Sequence, residues 1–202
     1  ATLSELMDGR ELSIGLGFGN PRTYTFVDTP KPISFLRETS QSLRRLLNGE
    51  EVCFADYPNL LEYFNFNPKG LFKLNFAPKT PILQYCGANG PLGLEVGGRN
   101  MDGLIFGGHY MAALRTGRVP EQLQIFNDAA NDFGVGEGVT RVAEVKLSLS
   151  KDGQAARDFV KESSGNRILN MYRRGYSHED IQRLGVDLED VDQLDQAEKA
   201  GV

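Results

Sequence analysis

Apolar residues recur along this chain with two alternating periods, one typical of strands and the other typical of helices. Short apolar or alternating runs predict strands, and longer runs with apolar residues three and four apart predict helices. The predicted strands are Leu12–Gly17, Ile82–Cys86, Gly103–Phe106 and Arg141–Leu149. The predicted helices are Ser34–Leu47, Pro91–Arg99, Glu121–Phe133 and Gln154–Tyr172. Strands that alternate with helices in this way predict an α/β fold whose strands run parallel.

The helix predicted at Ser34–Leu47 has the clearest division into two faces. Its apolar residues lie three and four positions apart and predict the buried stripe, namely Phe35, Leu36, Leu43, Leu46 and Leu47. Its charged residues are expected to face water, namely Arg37, Glu38, Arg44 and Arg45. A helix of this kind packs one face on a sheet.

The regular alternation is interrupted at residues 52–81 by a segment rich in aromatic residues and proline. A connection of this length within a compact domain is typical of an inserted excursion or a lid. We predict an inserted loop with a short helix at Leu60–Phe64, whose aromatic side chains either pack or hold a planar ring, with packing favoured. The chain is thus predicted to form a sheet domain over residues 1–150 and a helical segment over residues 151–202 that packs on it.

Composition and charge exclude several classes of protein. The net charge is −5 and the basic residues do not cluster, which argues against a nucleic-acid binder. No apolar run approaches the roughly 20 residues of a membrane span. The two cysteines, Cys53 and Cys86, accompany no metal-ligand spacing, so we predict a reduced, cytoplasmic protein without a metal site. Because the chain starts at Ala1 without Met, we expect either processed ends or part of a longer protein.

Glycines lie at three junctions that follow predicted strands, namely Gly15–Gly19, Gly87–Gly90 and Gly107–Gly108. In a parallel sheet these junctions meet at the carboxyl edge, where α/β proteins bind ligands. A helix N-terminus with small residues before it is suited to an anion such as a phosphate. Structural need for positive φ is the alternative explanation. The dinucleotide-binding fingerprint is absent, because Gly19 is followed by Asn20 and Pro21.

Few side chains near these junctions suggest catalysis. His109 directly follows the third junction, where it either acts as an acid or base or stabilises a loop. Tyr110 is close enough in sequence to reach the same edge. Cys86 is interpreted as a small core residue, and Glu95 as the partner of Arg99 one helical turn away.

Three ordered stretches of the chain resemble the bacterial-luciferase-like superfamily. Residues 1–20, with Leu12-Ser-Ile-Gly-Leu-Gly-Phe-Gly-Asn20, are similar to its "ATLDELSGGR…LGLGxG" stretch. Leu46-Leu47-Asn48-Gly49-Glu50 is similar to its "LLxGE" phrase, and residues 82–106 to its "PIYIAAxGPKALELAGExADGVI" block. The later part of the chain resembles methylenetetrahydromethanopterin reductase-like members in layout. This resemblance implies a (β/α)8 TIM barrel that binds FMN or the deazaflavin coenzyme F420 at its carboxyl-terminal mouth.

The resemblance also assigns roles to residues of this chain. The residues that match cofactor-binding turns are Gly17, Gly19, Asn20, Gly87, Ala88, Asn89 and Gly90. The residues that match the substrate side are Gly107, Gly108 and Tyr110, and His109 is the candidate catalytic residue. A glycine and a tyrosine at this last place disfavour a sugar-phosphate substrate.

The match covers about the fourth to seventh strands only, so we predict an incomplete barrel followed by a helical C-terminal segment. The resemblance implies an oxidoreductase that transfers a hydride between a deazaflavin or flavin cofactor and a small organic substrate. One alternative is an FMN-dependent monooxygenase. Another is a non-catalytic truncated paralogue or fragment that dimerises. Because an incomplete barrel exposes sheet edges, we expect a homo-oligomer or pairing with a complementary chain.

Overall fold

The computed structural model of the protein describes residues 1–19, 31–107, 110–134, 139–173 and 175–200. In chain order the strands are β1 (Leu12–Gly17), β2 (Val52–Cys53), β3 (Leu71–Phe72), β4 (Ile82–Gly87), β5 (Gly103–Phe106) and β6 (Thr140–Ala143). The helices are α1 (Thr2–Leu6), α2 (Pro32–Leu47), α3 (Pro58–Phe64), α4 (Pro91–Asn100), α5 (Tyr110–Arg115), α6 (Val119–Asp132), α7 (Gly153–Arg173), α8 (His178–Arg183) and α9 (Leu188–Ala200). The first of two compact units comprises Ala1–Gly107 and Pro120–Glu144, and the second comprises Gly108–Val119 and Val145–Val202. That the helical segment 151–202 packs on the barrel stays a prediction.

The first unit is built on a four-stranded sheet with the order β1-β4-β5-β6, in which each neighbouring pair is parallel. The α/β class and the parallel strands predicted from the sequence are therefore confirmed. One face of the sheet contacts helices. Gln84 is fully buried there, and its amide, oriented to satisfy both groups, donates to Ser40 O and accepts from Arg44 N–H of α2. Gly15 and Ile105 lie on the opposite face.

Helix α2 begins at Pro32, two residues before the predicted start at Ser34, with Lys31 as its N-cap in the left-handed region. Proline is suited to the first position of a helix because its φ is already helical and no N–H is lost. The prediction that Glu38 faces water was wrong. Glu38 is 4% exposed, and its carboxylate accepts hydrogen bonds from the N–H groups of Asn59 (2.9 Å) and Leu60 (3.1 Å). It thus supplies acceptors to the first turn of α3, which has no side-chain cap of its own.

Residues 52–81 form a small folded excursion with more regular structure than the loop predicted for them. Strands β2 and β3 pair antiparallel, and α3 begins at Pro58 instead of Leu60. Leu46 of α2 joins Val52, Tyr57 and Leu60 in a hydrophobic cluster. The aromatic rings contact one another and Phe35 of α2. Phe64 and Phe66 stack, Phe35 and Tyr63 meet edge to face, and the pairs Phe54–Phe66 and Phe35–Phe64 are tilted. Packing is therefore the role of these rings that the structure shows.

Strand β6 is shorter than predicted from the alternating apolar pattern of Arg141–Leu149. It ends at Ala143, because its neighbour β5 is four residues long and pairs only with residues 140–143. Leu147 and Leu149 lie beyond this pairing and are 77% and 88% exposed. Alternation alone does not make a strand where no backbone partner is present.

The second unit is helical and has its own core. The buried residues of this core are Leu169, Met171, Ile181 and Val191. Helix α7 runs without interruption through Gly165. Helix α8 begins with a capping box, in which the Ser177 hydroxyl accepts from Asp180 N–H and the Asp180 carboxylate accepts from Ser177 N–H. None of the helices in the described ranges combines the length and apolar character needed to cross a membrane.

Candidate functional site

Two of the predicted cofactor turns start side by side at the carboxyl edge of the sheet. Strands β1 and β4 end in register, with Gly17 opposite Gly87. A Cβ atom built on Gly17 would lie 3.0 Å from the carbonyl oxygen of Gly87, so the two backbones approach closely. Strand β5 ends nearby in the sheet at Phe106, followed by Gly107. The structure therefore brings Gly17 and Gly87 together at one edge.

The second turn leads directly into helix α4. Ala88 is buried, whereas Asn89 and Gly90 are exposed. Gly90 is the N-cap and has no side chain to fill that role, and the first intrahelical bond joins Leu94 N–H to its carbonyl (3.0 Å). Pro91 occupies the first helical position and has no N–H. Helix geometry leaves the N–H groups at the second and third positions without intrahelical acceptors, at the positive end of the helix dipole.

Phe18 of the first turn packs against the second turn, a contact that the sequence does not predict. A Cβ atom on Gly93, in the first turn of α4, would lie 2.8 Å from the Phe18 ring and 2.8 Å from the Ala88 methyl group. The ring therefore packs over the start of α4 in a space that a larger residue at position 93 would fill. The available signal was an aromatic residue between Gly17 and Gly19 in an otherwise small-residue turn.

The residues of the second turn are neutral. The turn Gly87–Gly90 contains no ionisable residue. Burial raises the pKa of the Cys86 thiol to about 12, so this group is uncharged, and it donates to Gly93 O at 3.5 Å. This confirms Cys86 as a core residue. Glu95 forms the predicted ion pair with Arg99 (2.7 Å), which confirms that interpretation. The turn itself therefore offers an anion no charged side chain, and its contribution is that of backbone N–H groups at the start of α4.

Gln122 of α6 is a further residue at this turn that sequence reasoning missed. Its Nε2 donates to the carbonyl oxygen of Asn89 at 2.9 Å. Its Oε1 is buried and has no hydrogen-bond partner among the described residues. Nothing in the sequence marks this contact, because 33 residues separate the two positions.

Four further predicted site residues lie either in the second unit or outside the described residues. Tyr110 is the first residue of α5 and belongs to the second unit. Asn20, Gly108 and His109 lie outside the described residues. Within the described ranges, no group of three or more His, Cys, Asp or Glu side chains is arranged to hold a metal ion.

A parallel sheet with helices on one face and glycine turns at its carboxyl edge defines part of an α/β barrel. Residues 1–201 match the profile of the luciferase-like monooxygenase family, so the chain belongs to this family. The superfamily inferred from the sequence is thereby confirmed.

A solved structure gives a more particular comparison. The chain is similar to a coenzyme F420-dependent tetrahydromethanopterin reductase from Methanopyrus kandleri, with a TM-score of 0.62 and 19% sequence identity. The similarity covers 100% of this chain and 58% of that chain. The chain thus has the fold of part of this reductase and spans little more than half of its length, which confirms the predicted incomplete barrel.

Proposed function

We propose that the turn Gly87–Gly90 and the start of α4 hold the phosphate of a flavin-type cofactor, either the deazaflavin coenzyme F420 or FMN. One observation carries this proposal. In a chain of the luciferase-like family, the carboxyl edge presents a neutral small-residue turn that opens α4 without a side-chain cap. The site also has room, because a Cβ atom on Gly90 would meet no heavy atom within 4 Å.

In this proposal the chain contributes to an oxidoreductase that transfers a hydride between the cofactor and a small organic substrate. The cofactor supplies the redox chemistry, and the protein binds and orients it. Gly17, Gly19 and Asn20 would allow its close approach to β1. The proposed substrate side consists of Gly107, Gly108 and Tyr110, with His109 as the acid or base.

An FMN-dependent monooxygenase is the second candidate, and the family description favours it. The two activities differ in their use of oxygen. Consumption of oxygen with reduced FMN and an organic substrate would support the monooxygenase. Hydride exchange with the deazaflavin in the absence of oxygen would support the reductase.

The sheet supports a proposal about assembly as well. Among the residues that the structure describes, β1 pairs only with β4, and β6 pairs only with β5. All four residues of β6 are exposed, and so are Ser13 and Gly15 of β1. Because unpaired strand edges attract further strands, we propose that a second copy or a complementary chain covers them. A non-catalytic dimer would show the expected doubled mass in light scattering together with no redox turnover.

Titration with FMN, the deazaflavin coenzyme and riboflavin tests the phosphate site. We expect FMN to bind more tightly than riboflavin, which has the same ring without the phosphate. Gly90→Ala places a methyl group in the open space at the turn, so FMN affinity should fall while thermal stability stays the same. Gly165→Ala in α7 is the matched control and should leave FMN affinity unchanged. The proposal would be refuted if the wild-type protein bound neither FMN nor the deazaflavin coenzyme nor riboflavin.

A further inference from the structure

We propose that Gln122 is a positioning residue, which holds the turn Gly87–Gly90 in the conformation that receives a phosphate. The inference rests on the proposed function. Gln122 lies on α6, and its side-chain amide donates to the main-chain carbonyl of Asn89 at 2.9 Å. It therefore acts on the backbone of the turn from a different helix.

The contact determines the direction of a backbone donor. In a planar trans peptide the carbonyl of one residue and the N–H of the next point in opposite directions. A hydrogen bond that holds the Asn89 carbonyl toward α6 therefore directs the Gly90 N–H away from α6. Because no heavy atom lies within 4 Å of a Cβ position at Gly90, space for a ligand is open beside this residue.

Other restraints on this peptide are weak. Asn89 and Gly90 are exposed, and glycine loses more conformational freedom on ordering than any other residue. Helix α6, in contrast, is firmly supported, because Phe126 is fully buried and its carbonyl lies against Gly98 of α4. A hydrogen bond from a well-packed helix to an exposed turn reduces the conformational entropy that the turn loses when a ligand binds.

The environment of the Gln122 amide oxygen is consistent with this role. Its Oε1 is buried without a hydrogen-bond partner among the described residues, so the donor contact to Asn89 is the interaction the amide makes there. A methionine at this position would have nearly the same length and helix propensity. It would remove both the hydrogen bond to Asn89 and the unsatisfied oxygen. Gln122→Met therefore tests the effect of this hydrogen bond on binding with little change in stability.

The test compares FMN and riboflavin binding in the wild-type protein, Gln122→Met and Gln124→Met. Gln124 lies on the same helix, and its amide contacts Asp128, so its replacement is the matched control. We expect Gln122→Met to weaken FMN binding by about 3- to 10-fold, the effect of one hydrogen bond. Riboflavin affinity and the unfolding temperature should not change, and Gln124→Met should resemble the wild type.

The possible results separate the positioning role of Gln122 from the proposed phosphate site. An equal loss of FMN and riboflavin affinity in Gln122→Met would indicate a general structural role and overturn the positioning role. Unchanged FMN affinity in that variant, with a wild-type preference for FMN, would overturn the inference about Gln122 alone. A wild-type protein without preference for FMN would overturn the proposed phosphate site, and the positioning role with it.

Discussion

The contact between α4 and α6 depends on the absence of a side chain at Gly98. A Cβ atom built there would lie 2.3 Å from the carbonyl oxygen of Phe126, 2.9 Å from the Ala129 methyl group and 3.0 Å from Ala130 N. Two of these three atoms belong to the backbone and cannot rotate away. The Gly98→Ala substitution therefore requires the two helices to separate.

The size of the effect follows from two opposing contributions. Overpacking of a tightly packed interior costs about 1–3 kcal/mol, and a backbone clash belongs at the upper end of this range. Alanine is a better helix former than glycine by about 1 kcal/mol. We therefore expect Gly98→Ala to lower the free energy of unfolding by about 1–2 kcal/mol.

Gly165→Ala is the matched control for this prediction. It makes the same chemical change within a helix, but its Cβ atom would meet its nearest neighbour, Leu194 Cδ1, at an ordinary 3.8 Å. Only the propensity contribution applies, so this variant should gain up to about 1 kcal/mol. Urea unfolding followed by circular dichroism measures both changes. A neutral or stabilised Gly98→Ala variant would refute the reasoning from the helix contact.

Three further predictions concern buried or paired groups. Glu38→Ala should lower the free energy of unfolding by about 1–3 kcal/mol, because the N–H of Asn59 loses a buried acceptor. Because burial raises the Cys86 pKa from its ordinary 9.0 to about 12, the folded thiol keeps its proton longer than the unfolded one. Stability should therefore fall as the pH rises from 9 to 12, and Cys86→Ser should remove that component. The Arg118 guanidinium, 2.6 Å from Asp180, lowers the pKa of that carboxyl. Stability from this pair is present above pH 3.8 and is lost as the pH falls below it, so Arg118→Ala should lower stability by at most about 1 kcal/mol and flatten the acid limb.

Denaturant unfolding at several pH values measures all three effects. Glu62, which is exposed on α3, is the control site for Glu38, and Glu62→Ala should change little. Equal effects at the two sites would contradict the capping role of the Glu38 carboxylate. Identical alkaline profiles for the wild type and Cys86→Ser, or identical acid profiles for the wild type and Arg118→Ala, would contradict the corresponding pKa argument.

The sheet could be predicted from the sequence because its information is local. The bounds predicted for β1 and β5 agree with the structure, and β4 extends one residue further than predicted. These strands are short apolar runs that end in glycine, a pattern that needs no knowledge of distant residues. The predicted extent of β6 was too long because a local pattern carries no information about the partner strand. Pairing depends on the length of β5 and not on the residues of β6.

The interactions that support the site could not be predicted in this way. Glu38 looks like a surface residue of an amphipathic helix, and only the position of α3, more than 20 residues later, makes it a buried acceptor. Gln122 likewise has no feature in the sequence that distinguishes it from Gln124, and its contact with Asn89 depends on how α6 packs beside α4. The turn could be identified from its glycines, whereas the side chains that hold it in place depend on tertiary packing.

If the turn Gly87–Gly90 holds a phosphate as proposed, the arrangement of its supports makes phosphate binding separable from ring binding in this chain. The turn at Gly87–Gly90 is supported by β4, α4 and α6, all of which are present in the first unit. The chain matches 58% of the similar reductase, and β1 and β6 each leave one edge without a strand partner in the described sheet. If ring-holding groups belong to strands beyond these edges, the chain alone should discriminate FMN from riboflavin more strongly than it discriminates one flavin ring from another. A larger preference between rings than between FMN and riboflavin would place ring-holding residues within these 202 residues and contradict this separation.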